Sequence, residues 1–134
     1  MMTPISPIAQ VEDVAPARRG FRHARVIAHL TTGSGSDPSH SVSLLCRLDE
    51  RNRIAGDFKN QWYGCVHDQT ATYPFFLNSD FFCYGHFADN TREKTDIRSK
   101  EIVVGSYFSL QVEDDAPRTE LRTYRISSVA DLAN

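Results

Sequence analysis

Glu101 to Val129 reads EIVVGSYFSLQVEDDAPRTELRTYRISSV. Phe108, Leu110 and Val112 alternate with Ser109, Gln111 and Glu113, the period of a strand with one buried face. Asp114, Asp115 and Pro117 supply turn chemistry. Tyr124 and Ile126 then carry the apolar face of a return strand, with Arg122 and Arg125 on either side of it. The stretch reads as a β-hairpin, and Gly105 breaks the run ahead of it as a bulge or sharp bend does. The segments upstream read as strands that need this hairpin to close a core.

Moving outward, Val42, Leu44, Cys46 and Leu48 alternate with Ser43, Leu45, Arg47 and Asp49, a second half-buried strand. Phe21 to Leu30 precedes it, with Val26, Ala28 and Leu30 on one face. The Gly/Ser-rich run Thr31 to Ser41 between them predicts a mobile loop. After a polar turn, Ile54 to Phe58 is a short strand interrupted by Gly56. Three aromatic segments follow, QWYGCVHD, TYPFFL and FFCYGHFA, the last two joined through Asn78-Ser79-Asp80 as a hairpin. Asn90 to Lys100 reads as a surface loop or one helical turn. Ser127 to Asn134 predicts a short C-terminal helix capped by Ser127 or Ser128. The fold class is therefore mainly β: a small β-barrel or β-sandwich of about seven or eight short strands with one or two short helices.

At 134 residues the chain is long enough to bury a core without disulfides or metal. Residues 1–17 hold Pro4, Pro7 and Pro16 and little periodicity, and read as a flexible N-terminal arm with a strand-like contact at Ile5 or Ile8; residues 18–134 form one β-rich domain. A net charge of −2 gives no reason to expect a nucleic-acid or membrane partner. Cys46, Cys65 and Cys83 are an odd set in a sequence with no export signal, which predicts reduced thiols and a cytoplasmic location.

The densest chemistry is aromatic. Phe58, Trp62, Tyr63, Tyr73, Phe75, Phe76, Phe81, Phe82, Tyr84 and Phe87 crowd into one segment. Adjacent residues on a strand point to opposite faces. Trp62-Tyr63, Phe75-Phe76 and Phe81-Phe82 therefore each send one ring to the core and one away from it. An outward set of large rings needs a cover, from a second subunit, a protein partner or a small-molecule ligand. Trp62, Tyr63, Phe75, Phe76, Phe81, Phe82 and Tyr84 are the candidate binding residues.

Two other sets suggest other functions. Cys65-x-His67 and Cys83-x-x-His86 offer the ligand types of a zinc site or a thiol nucleophile with its base, although the spacing is not that of a paired finger. Arg18, Arg19, Arg22 and Arg25 form a basic cluster at the start of the first strand, suited to phosphate. Arg18-x-x-x-Arg22 resembles the arginine motif of PilZ domains, β-barrels that bind cyclic di-GMP. The second motif of that family, Asp/Asn-x-Ser-x-x-Gly, has its nearest match in Asp37-Pro38-Ser39-His40-Ser41-Val42, where Val42 replaces the glycine. That resemblance implies a nucleotide-binding barrel. The residues themselves favour a non-catalytic binding module, without cofactor or metal, that associates with protein or with itself as a homodimer. A thiol- or zinc-dependent enzyme using Cys65, His67 and Cys83 is the remaining alternative.

Overall fold

The computed structural model describes residues 21–56, 62–84, 92–112 and 121–132. The expected N-terminal arm, Arg18, Arg19, His86 and the Asp114–Pro117 turn lie outside the described residues. Eight antiparallel strands follow one another around a closed barrel: β1 (Arg22–Thr32), β2 (Gly35–Leu48), β3 (Trp62–His67), β4 (Thr72–Asn78), β5 (Phe81–Cys83), β6 (Arg92–Thr95), β7 (Tyr107–Val112) and β8 (Leu121–Asp131). β1 pairs with β2 on one side and with β8 on the other, which closes the ring.

Side-chain parity fills the interior. Ala24, Val26 and Ala28 of β1, Val42, Leu44, Cys46 and Leu48 of β2, and Phe75 and Leu77 of β4 point inward, as do Phe82, Phe108, Leu110, Tyr124 and Ile126. Four rings make a chain along one wall. Phe75 stacks on Phe82 at 3.9 Å between centroids, Phe82 meets Phe108 at 6.5 Å, and Phe108 stacks on Tyr124 at 5.7 Å. Ile54, Ile97 and Ile102 are buried with them at the lower end, where the chain enters at Phe21. The Trp62 indole N–H closes that end by donating to the Ala55 carbonyl, 2.9 Å away.

Short polar turns hold the strands. Asp68 Oδ1 accepts from the backbone N–H groups of Thr70 and Ala71 between β3 and β4, and Asp49 Oδ1 does the same for Arg51 and Arg53 after β2. β4 and β5 are joined by Ser79 and Asp80 alone, with Ser79 at φ 56°.

Three expectations need correction. No α-helix occurs among the described residues; the one helical piece is a 3-10 turn at Ile97–Ser99. The predicted C-terminal helix is instead the end of β8, because β1 needs a partner there: Ala24 pairs with Asp131 and Val26 with Val129. A bulge between Ile27 and Ala28 absorbs Ser127, whose hydroxyl donates to the Ile27 carbonyl. The supposed mobile loop Thr31 to Ser41 is mostly ladder, since β1 runs to Thr32 and β2 begins at Gly35. Its polarity marks exposure of both faces at the upper rim, and pairing lapses only at Pro38–His40, where the register shifts between His29 and Leu30. Within Asn90 to Lys100, Arg92–Thr95 is a strand. No helix among the described residues is long and apolar enough to cross a membrane.

Gly64 is the tightest point in the wall. A Cβ there would lie 2.1 Å from the Ser43 carbonyl oxygen and 2.8 Å from the Phe75 ring. Both neighbours are fixed, one by the ladder and one by the ring stack. Gly64→Ala should therefore cost about 1–3 kcal/mol or more through overpacking, read from the urea midpoint at constant m-value.

Candidate functional site

The register of successive ladders sets one row of side chains across the outer wall. Arg25 pairs with Leu45, Leu45 with Tyr63, Tyr63 with Phe76, Phe76 with Cys83, and Cys83 with Arg92. Phe81 joins the row from the next position on β5, opposite Asn78 and Lys94, and the Arg92 guanidinium lies over its ring at 4.2 Å. The row is open where it is most apolar: Leu45 is 43% exposed and Tyr63 60%. Beside it runs a groove of about 440 Å³, bordered by Arg25, Ile27, Leu45, Tyr63 and Cys65. Close approach of β2 and β3 at Gly64 forms its floor.

The adjacent aromatic pairs divide as strand parity requires. Tyr63, Phe76 and Phe81 face out, while Phe75 and Phe82 face in. Phe75, Phe82 and Tyr84 are thus core residues and cannot line a surface, which corrects their listing among the binding residues. Trp62 belongs to the lower closure, with His23 edge-on to its ring at 6.4 Å. Leu45 and Ile27 were not expected as site residues, and Arg25 was expected as part of a phosphate-binding cluster and not beside Tyr63. Leu45 was readable as an outward leucine on a strand whose inward face was already apolar, but its neighbours required the register.

At the upper end the interior turns polar. The Tyr84 hydroxyl donates to Glu93 Oε1 at 2.5 Å, and Arg122 pairs with Glu93 Oε2. His40 meets the Tyr124 ring edge-on at 6.1 Å. Glu93 is 6% exposed, so its carboxylate depends on these partners; a buried ion pair contributes little net stability, yet is costly to break from one side. Neither Glu93 nor its link to Arg122 was read from the sequence, because β6 is only Arg92–Thr95 and carries no apolar alternation.

The other sequence-predicted sets are not brought together. Cys65 faces outward between Ser43 and Pro74, and His67 sits between Ser41 and Thr72. Cys83 lies two strands away, roughly 10 Å by strand spacing. Among the described residues no group of three or more His, Cys, Asp or Glu side chains could hold a metal ion. Arg22 is engaged at the lower rim with Asp131 at 3.0 Å and with Asn52, whereas Arg25 is on the opposite face of the strand and exposed. Asp37 pairs across from Leu30, eight residues up β1 from Arg22, or roughly 26 Å along the strand. Its carboxylate accepts hydrogen bonds from the Ser39 N–H and hydroxyl, which hold its pKa below the ordinary carboxylate value. Arg22 and Asp37, one from each piece that resembled the nucleotide-binding motif, thus stand at opposite ends of β1.

Burial pushes the Cys46 thiol up from 9.0 to about 12. The Tyr84 phenol is also raised, by burial first and then by Glu93. Both groups are held neutral by the fold, so the stability they contribute is fully present below their unfolded values and is lost as pH rises through the folded ones. Urea melts should show stability falling from about pH 9 upward, and Cys46→Ala should make that fall shallower. An identical slope in the variant would mean the thiol is not held neutral. No family model, curated protein or solved structure matches the chain.

Proposed function

We propose that this protein is a small non-catalytic binding module whose contact surface is the outer row Leu45, Tyr63, Phe76 and Phe81, and that it takes a protein surface, including a second copy of the chain. The single observation that carries this reading is the unbroken pairing of Leu45, Tyr63 and Phe76 across three strands, with Leu45 and Tyr63 left open. A continuous outward apolar row favours association. Phe75, Phe82, Phe108 and Tyr124 occupy the inside with contacts to one another, which favours binding on the outside. The pairing supports the same choice: β2, β3 and β4 are already paired on both sides along this row, so a partner there docks on side chains. Arg92 stacked on Phe81 and Arg25 at the other end give the row the mixed aromatic and arginine character of interface centres.

Sedimentation over a range of concentrations tests this. Tyr63→Ser combined with Phe76→Ser should weaken association by about 2 kcal/mol or more, as loss of interface anchors does, while the thermal midpoint stays close to that of the parent. A parent chain that sediments as a monomer at every concentration, and captures no protein through this row, removes the support for this surface.

A further inference from the structure

We propose that the groove beside Tyr63 receives an extended segment of another protein, one that carries a large apolar residue and, two positions from it, an aspartate or glutamate that pairs with Arg25. This rests on the reading of the outer row as a contact surface and names the chemistry of its partner.

The register leaves Arg25 among groups that cannot answer its charge. Its cross-strand neighbours are Leu45 on β2 and Ala130 on β8. Asp131, the residue after Ala130, turns to the other face, where Arg22 holds it at 3.0 Å. The next outward row toward the upper rim is Ile27, Ser43, Cys65 and Pro74, again without a carboxylate. Among the described residues the Arg25 side chain makes no hydrogen bond or ion pair. An exposed guanidinium thus stands at the edge of a groove whose other borders are Ile27, Leu45, Tyr63 and Cys65. Arginine beside aromatic and aliphatic anchors is the composition of an interface centre, and its planar fork fits a carboxylate through two parallel hydrogen bonds.

Spacing sets the pattern of the partner. Arg25 and Tyr63 lie two strand spacings apart, roughly 10 Å. An apolar side chain settled between Leu45 and Tyr63 is then roughly 7 Å from Arg25, the separation of residues i and i+2 on one side of an extended segment. The ladders beneath are already paired, so the segment is held by these two side chains and not by strand addition.

Charge also selects among occupants. A second copy docked wall to wall brings no carboxylate to Arg25, because neither outward row carries one. A nucleic-acid strand brings a phosphate at every nucleotide and needs cations along its track, whereas Leu45, Tyr63 and Phe76 form an uncharged run. A single acidic side chain next to an apolar one matches both features.

Selection of a phage-displayed library of random peptides on the full-length chain tests this. Bound clones should share a large apolar residue with Asp or Glu two positions away. On the Arg25→Glu chain, selection should replace that acid with Lys or Arg. The best peptide from the parent, labelled with fluorescein, should bind the Arg25→Ala chain about tenfold more weakly or worse, as loss of one charge-assisted hydrogen bond implies, while the thermal midpoint is unchanged. The same peptides from both chains, or no enriched peptide, would overturn the proposal, and so would displacement of the peptide by a labelled oligothymidylate. Other outcomes separate it from the reading beneath. Apolar peptides without the acid, lost in the Tyr63→Ser and Phe76→Ser chain, would remove the carboxylate partner and leave the contact surface. Self-association weakened by that double change but not by Arg25→Glu would make a second copy the occupant, with the same consequence. A monomeric parent that also enriches no peptide removes both.

Discussion

β1 holds the molecule closed by pairing along both edges at once, through Arg22–Thr32 with β2 and through Ala24–Leu30 with β8. Its sequence suits that position because its inward residues are small. Ala24, Val26 and Ala28 face the ring chain formed by Phe75, Phe82, Phe108 and Tyr124 on other strands. An eight-stranded barrel has an interior just wide enough for side chains to fill or for one small ligand. Large rings on one wall require small residues elsewhere, and Gly64, which has no room for a Cβ, is the limiting case.

On the outer wall of this closed ladder the register matters more than composition. Tyr63 and Phe76 are neighbours because β3 and β4 pair Tyr63 with Phe76; a slip of one residue would have turned both rings inward and Phe75 outward. The Asp68 carboxylate, bound by the Thr70 and Ala71 N–H groups, fixes the turn that sets this register.

Much of this was legible from residue parity. The inward face of β2, the pairing of Phe108 and Leu110 with the strand of Tyr124 and Ile126, and the split of each aromatic pair all follow from period-two alternation. Elements governed by a distant partner were not legible. Ser127 to Asp131 has the capping residues of a helix, but the unpaired edge of β1 makes it a strand. The Gly/Ser-rich run after Leu30 has loop composition, yet a two-residue turn suffices, and only Pro38–His40 fall outside the β1–β2 pairing, at the register shift opposite His29 and Leu30. Glu93 carries no apolar pattern to reveal its inward direction; among the described residues, Tyr84 and Arg122, brought there by other strands, make a carboxylate tolerable. The separation of Arg22 from Asp37 likewise depends on strand length, which composition does not reveal.

Parity also separates what the rings contribute to folding from what they contribute to binding. Truncating an inward ring such as Phe82 removes packing on all sides, and such changes cost about 3–5 kcal/mol. The Tyr63–Phe76 pair contributes as a cross-strand contact, a term of about 0.2–1 kcal/mol. The outward rings therefore have little part in holding the barrel, and their apolar area is a liability for an uncovered chain. A polar side chain at either position would serve the fold nearly as well. The packing of the barrel therefore does not account for aromatic residues at Tyr63 and Phe76, and both can be altered without unmaking the structure beneath.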